Sequence, residues 1–227
     1  MIPTKRLDED TLREMAGLLS AEDAAEMAIP SYLHKNPVLR TMAWWRVELL
    51  AERMQRAARA IGHKPLTILD YGCGSGVLFA DALDVADEVI GVDLVLDAAR
   101  LLVVRRGYKN VRLLGPGEAE QAIEEKSVDI ILAGEVLEHV EPLGPALSLF
   151  RKWMRNEQSR LLVTLPTENQ LYKLGRRIAG FQGHYHHANA ASITPEIEAA
   201  GFSLVRKETI PLPGPLSIYW CMDFMPR

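Results

Sequence analysis

From Leu66 onward, short apolar runs alternate with stretches of helical spacing, and that alternation sets the architecture. Leu66-Thr67-Ile68-Leu69, Glu88 to Asp93, Val111 to Leu114, Val128 to Ala133 and Ser159 to Leu165 read as strands. Val77 to Leu83 and Leu143 to Arg155 place their apolar residues at helical intervals. Thr194-Pro195 opens a short helix that ends at Ala200-Gly201. Two more β-rich runs, Phe202 to Ile210 and Leu216 to Phe224, flank the breaker Pro211 to Pro215. Strands alternating with helices predict an α/β fold, a doubly wound and mainly parallel sheet covered on both faces.

The first sixty or so residues read as helical throughout. Asp10 to Met15 and Ser20 to Met27 each begin with capping residues. Asn36-Pro37 supplies a cap and a first-turn proline for a long helix from Val38 to about Ile61, stopped by Gly62. Its apolar stripe is expected at Met42, Trp45, Leu49, Met54 and Ala57, with Arg40, Arg46, Arg53, Arg56 and Arg59 on other faces. Such a stripe packs on the edge of the sheet. The alternatives are a substrate lid, or an interfacial helix bringing Trp44, Trp45 and arginines to a membrane surface. The chain thus divides into a helical extension on the lid or substrate side, residues 1–62, and the sheet domain, residues 63–227.

Composition narrows the function classes. The 227 residues are 48% hydrophobic and 25% charged, enough for one α/β domain with its extension. No apolar run approaches a membrane span, and the N-terminus lacks the apolar core of a signal peptide, so a cytoplasmic location is expected, with peripheral membrane contact left open. Cys73 and Cys221 do not form a disulfide framework. A net charge of −4 argues against an extended nucleic-acid interface and favours a small-molecule acceptor. The oligomeric state is not set by these features.

Candidate chemistry concentrates where the first strand meets Asp70-Tyr71-Gly72-Cys73-Gly74-Ser75-Gly76. Glycines at a strand-to-helix turn let backbone amides approach a ligand. A dinucleotide turn wants a further glycine where Val77 stands, which disfavours a dehydrogenase. Asp93 closes the second strand about 20 residues beyond the turn, where a ribose diol finds a carboxylate. Gly117-Glu118-Ala119-Glu120 follows the third strand, and Glu135-Val136-Leu137-Glu138-His139-Val140 the fourth.

Together these four stretches resemble the class I S-adenosylmethionine-dependent methyltransferases, of the ubiquinone-type and related small-molecule branch, over roughly residues 60 to 227. The resemblance implies a Rossmann-like seven-stranded sheet, mostly parallel, whose antiparallel last strand inserts between the fifth and sixth. It implies S-adenosylmethionine as cofactor, S-adenosylhomocysteine as product, and a binding set of Asp70, Gly72, Cys73, Gly74, Gly76, Asp93, Leu94, Glu118, Ala119 and Glu135. Asp70 lies near the methionine part, Asp93 takes the ribose, and Glu118 stands where the family usually has an aspartate for the adenine amino group.

The leading reading is methyl transfer to oxygen of a small or lipid-like molecule, which needs the nucleophile held in line and its proton removed. The residues placed for this are His139 and, after the fifth strand, His184, His186 and His187. The reading assigns no metal. The alternative is that Glu135, Glu138 and His139, at helical spacing, join a distant histidine around a divalent ion. That arrangement resembles the small-RNA 2′-O-methyltransferases. A catalytically inert S-adenosylmethionine-binding partner or sensor is the reading from another class.

Overall fold

The computed structural model describes residues 4–167, 169 and 188–227. Four helices come first: α1 (Glu9–Leu18), α2 (Ala21–Glu26), α3 (Ile29–Tyr32) and α4 (Pro37–Ile61). Asn36 caps α4 by accepting from the Val38 N–H, and Gly62 ends it in the left-handed region at φ +70°. The sheet domain follows as β1 (Thr67–Tyr71), α5 (Phe79–Leu83), β2 (Glu88–Val92), α6 (Asp97–Arg106), β3 (Val111–Leu114), α7 (Pro116–Ala122), β4 (Ile130–Gly134), α8 (Leu143–Trp153) and β5 (Arg160–Pro166). Beyond residue 187 come α9 (Ala190–Ala199), β6 (Phe202–Pro211) and β7 (Ser217–Pro226).

The seven strands lie in the order β3-β2-β1-β4-β5-β7-β6. β1 to β5 run parallel, and β7 lies antiparallel between β5 and β6 as expected. Strand order reverses between β1 and β4, which opens a crevice at their carboxyl ends.

Alternate residues of each strand feed two cores. Ile68, Val89, Ile130, Leu132 and Leu162 face α1, α3, α4, α5 and α6. Leu69, Ile90, Ile131, Ala133, Leu161 and Val163 face α7, α8 and α9. Both faces are therefore dry, which is why the strands read as continuous apolar runs. At the amino end of the sheet, buried Asp129 accepts from the Thr67 N–H at 2.8 Å and pairs with Arg155 at 2.6 Å and His63 at 3.2 Å. This carboxylate ties β1 and β4 together below the crevice.

Four expectations are corrected. The last helix starts at Ala190, capped by Asn189, rather than at Thr194-Pro195. Pro195 sits inside it, so the carbonyl of Ala191 loses its helical donor. Of the expected α4 stripe, Leu49, Met54 and Ala57 are buried, Met42 is half-buried and Trp45 is exposed, and the buried face also takes in Ala43, Trp44, Val47, Leu50 and Ala51. Arg46 and Arg53 fall inside that buried face instead of on outer faces, and α4 lies across the face of β4, β5 and β7 rather than on the sheet edge. Arg53 is admitted to the interior because Glu208 and Asp223 both meet its guanidinium. No described helix is long and apolar enough to cross a membrane.

Candidate functional site

The turn after β1 is sewn onto the end of β2, since the N–H groups of Gly72 and Cys73 both donate to the Val92 carbonyl, at 2.8 and 3.1 Å. Gly72 has φ +76°, and a Cβ there would lie 2.4 Å from Cγ2 of Val136. Only glycine satisfies both the backbone and that contact. Gly76 closes the turn by donating to the Cys73 carbonyl at 2.8 Å. The Cys73 thiol is buried, and burial together with the charges of Asp70 and Asp93 pushes its pKa well up. It is a turn-filling side chain, not a nucleophile.

Two carboxylates stand beside the turn. Asp93 accepts from the Gly74 N–H at 2.7 Å and the Val95 N–H at 3.3 Å, so it is oriented by the loop it faces. Asp70 is buried, and among the described residues no donor offsets that burial. Burial first, and Asp93 second, push its pKa up to about 7. A buried acid without a cation invites a ligand that brings one. Around the rest of the crevice, Leu94 is 87% exposed just past β2. Glu118 is exposed in the first turn of α7, over the buried Ala119.

On the opposite wall Glu135 follows β4 in the left-handed region at φ +54°, its N–H held by the Thr164 carbonyl at 2.9 Å. Its carboxylate meets Nη1 of Arg46 at 2.6 Å, and the same nitrogen donates to the Tyr219 hydroxyl at 3.1 Å. The guanidinium carbon lies 6.0 Å from the Tyr32 ring and 5.3 Å from the Tyr219 ring. Burial works against the Arg46 charge, but Glu135 and the two tyrosines hold its pKa well above the usual value. Burial and the Glu135 charge push Tyr219 up to about 12, which keeps it a neutral hydrogen-bonding group. Burial also raises Glu135, with Arg46 opposing it.

The sequence reading missed Arg46, Tyr32 and Tyr219. The signal was the helical phase of α4: a stripe drawn through Ala43, Val47, Leu50 and Met54 places Arg46 inside the core face. Two tyrosines on other elements had no local signature.

Leu137–His139 is a single 3-10 turn, not α-helix. It buries Glu138 and leaves His139 exposed, while Glu135 sits outside it in a left-handed conformation. The single donor face of Glu135, Glu138 and His139 that the divalent-ion alternative needs is therefore not formed, and among the described residues no group of three or more such side chains is placed to hold a metal. His184, His186 and His187 lie outside the described residues. The site brings together Asp70, the glycines, Asp93 and Glu135, with His139 on the turn that follows β4.

A family model described as methyltransferase domain matches residues 42–207. A Mycolicibacterium smegmatis protein, described as a probable S-adenosylmethionine-dependent methyltransferase, is 30% identical over 79% of this chain and 64% of its own. The mouse mitochondrial ubiquinone biosynthesis O-methyltransferase is 28% identical over 69% of this chain and 47% of its own. The chain thus spans less than two-thirds of the length of these curated relatives. Among solved structures, the N-methyltransferase NodS from Bradyrhizobium japonicum, in complex with S-adenosylhomocysteine, superposes with a TM-score of 0.62 at 15% identity, covering 96% of this chain and 99% of that one.

Proposed function

Because this chain belongs to the methyltransferase domain family, we propose that it is an S-adenosylmethionine-dependent methyltransferase acting on oxygen of a small or lipid-like molecule. When bound, S-adenosylmethionine supplies an electrophilic methyl group on a sulfonium centre. One observation carries the reading: a positive-φ glycine turn beside a buried acid that lacks a cation, with a second acid pinned to the turn at 2.7 Å. Asp70 would offset the positive charge of the cofactor's methionine part, and Asp93 would accept from the ribose hydroxyls. Leu94 and Ala119 would bound the adenine, with Glu118 as acceptor for its amino group. Arg46, anchored by Glu135 and Tyr219, fixes the wall facing the turn.

On the acceptor side, exposed His139 would take the proton of a hydroxyl nucleophile, and His184, His186 or His187 keep the same proposed role. Oxygen as the acceptor atom draws on the ubiquinone biosynthesis O-methyltransferase among the relatives. The inert-binder alternative draws no support from those relatives, which are described as methyltransferases.

The test is calorimetry with S-adenosylhomocysteine and NAD, followed by transfer of labelled methyl from S-adenosylmethionine to a panel of phenols. Binding of S-adenosylhomocysteine alone, with label on a phenolic oxygen, is expected. Binding of NAD without S-adenosylhomocysteine overturns the reading.

A further inference from the structure

The helical extension is held to the sheet domain at two ends. At its foot, the Lys5 N–H donates to both carboxylate oxygens of Asp81 on α5, at 3.2 and 3.4 Å, and the Lys5 ammonium meets Asp84 at 2.5 Å. Arg6 pairs with Glu48 of α4 at 2.6 Å, and Asp8 with Arg106 at the end of α6 at 2.7 Å. From there α1 packs along α6, with Glu14 meeting Arg105. At its head, Met27 covers the glycine turn, since a Cβ on Gly74 would lie 3.4 Å from the Met27 Cγ. Tyr32 then sets its ring 6.0 Å from the Arg46 guanidinium carbon and 4.6 Å from the Trp44 ring.

Between these ends the extension is lightly anchored. α1, α2 and α3 together bury six side chains, while α4 alone buries twelve. Segments with few buried contacts open at a fraction of the cost of global unfolding. Ala28 joins α2 to α3 in the left-handed region at φ +57°, a conformation that costs any residue with a Cβ. Resistance to opening is concentrated at the foot, because Asp81 is fully buried and among the described residues the Lys5 N–H is its one donor. Asp81 also belongs to the helix that leaves the glycine turn, two residues after Phe79, whose ring fills the space beside Gly76 and Gly91.

We propose that α1 to α3 lift together as a strap through which the cofactor enters and leaves, and that Asp81 is the latch that sets how readily the strap lifts. Passage of the cofactor rests on the methyl-transfer reading of the crevice, and the latch rests on the contacts at the foot. Closing the strap moves the Asp81 carboxyl out of water, and the groups that face it are Lys5 on the strap, Asp84 on α5, Glu48 on α4 and Tyr108 after α6. Burial pushes its pKa up to about 6, with the Lys5 N–H opposing. Once the strap is lifted the carboxyl is solvated and returns towards 3.8. Closure therefore favours the protonated acid. Below about pH 4 both states hold the proton and the strap is tightest. Between about pH 4 and pH 6 the lifted state releases the proton and the strap loosens, and above about pH 6 the whole penalty stands. A difference of about two units corresponds to at most about a hundredfold in the opening equilibrium.

The test uses the full chain and reads opening by hydrogen exchange in α1 to α3, corrected for the intrinsic pH dependence of exchange, alongside the rate at which S-adenosylhomocysteine dissociates. Lys5 is the central residue of a turn closed by the Arg6 N–H on the Thr4 carbonyl at 3.0 Å, so proline fits there while removing the donor to Asp81. Lys5→Pro should raise opening and dissociation about tenfold. Lys5→Ala, which loses only an exposed ion pair, should change both by less than about twofold. Asp81→Asn fixes the latch in its neutral form, so it should abolish the loosening between about pH 4 and pH 6 and open about tenfold less often above that range. Asp70 titrates in both proteins alike, so the difference between them reads Asp81. Lys5→Pro no looser than Lys5→Ala, or Asp81→Asn looser than the unmodified chain, overturns the inference. Opening that follows the latch while dissociation stays constant overturns it too and leaves methyl transfer standing. Failure of S-adenosylhomocysteine to bind overturns both.

Discussion

Replacing Asp70 with asparagine should make the ligand-free protein more stable at neutral pH while removing its affinity for cofactor. Burial, reinforced by Asp93, pushes the Asp70 carboxyl from 3.8 up to about 7. An acid with a raised pKa holds its proton more tightly in the folded chain than in the unfolded one. Below the unfolded value both states keep the proton and nothing is lost. Between about pH 4 and pH 7 the unfolded chain releases a proton that the fold retains, so stability falls as pH rises. Above about pH 7 both states are ionised and the full penalty stands. A shift of about three units corresponds to ~4 kcal/mol. Asparagine keeps the shape without the titration, so Asp70→Asn should gain up to about that much near pH 8 and almost nothing near pH 4. In a chain of this size the gain is worth about 10 °C in Tm. Chemical and thermal denaturation of both proteins across that pH range, without ligand, is the measurement. Parallel stability profiles, or a variant less stable near pH 8, would refute the reasoning. In the same samples, calorimetry should show binding of S-adenosylhomocysteine weakened, because the neutral amide no longer offsets a ligand cation.

Asp93→Ala should weaken S-adenosylhomocysteine by about 1.5–3 kcal/mol in calorimetry, the usual range for hydrogen bonds to a charged group; unchanged affinity would move the ribose acceptor elsewhere. Gly72→Ala, at φ +76° and 2.4 Å from Val136, should cost about 2 kcal/mol in thermal unfolding, and Val136→Ala beside it should recover only the contact part. Arg46→Met leaves Glu135 half-buried without its cation and should cost about 2 kcal/mol, most of which returns when Glu135→Gln is added; additive effects in that double-mutant cycle would dissolve the pair. Turnover on an accepted phenol should survive exhaustive EDTA dialysis, and a loss reversed by Mg²⁺ or Mn²⁺ would restore the divalent-ion reading.

The sheet was legible because its central parallel strands are dry on both faces, so Ile130 to Ala133 and Leu161 to Leu165 stand out as unbroken apolar runs. The glycine turn and Asp93 were legible for a different reason: their spacing is fixed by one strand-turn-helix-strand unit. Arg46 was not, because an arginine inside an apolar stripe looks like a surface residue until its partners on β4 and β7 are known. The Glu135 to His139 stretch misled in the opposite sense. Its spacing suits a helix, yet Glu135 adopts φ +54° and a single 3-10 turn follows, so neighbours in sequence diverge in space. Pro195 misled likewise, since Asn189 supplied a stronger start five residues before Thr194.

The 25 residues of α4 form a single rod with two fates. Its lower part is locked to the sheet by Leu50, Met54 and the Arg53 ion pairs, where almost any substitution is paid for in stability. Its upper turns carry Val38, Thr41 and Trp45 in the open, where substitutions are nearly free of that cost. Mutational drift can therefore explore new side chains at the tip while the lower half keeps every variant in register with Glu135. Directed evolution of acceptor choice should accordingly find its tolerated changes at the exposed positions Val38, Arg40, Thr41 and Trp45, and not at the buried Ala43, Trp44 and Arg46 between and beyond them.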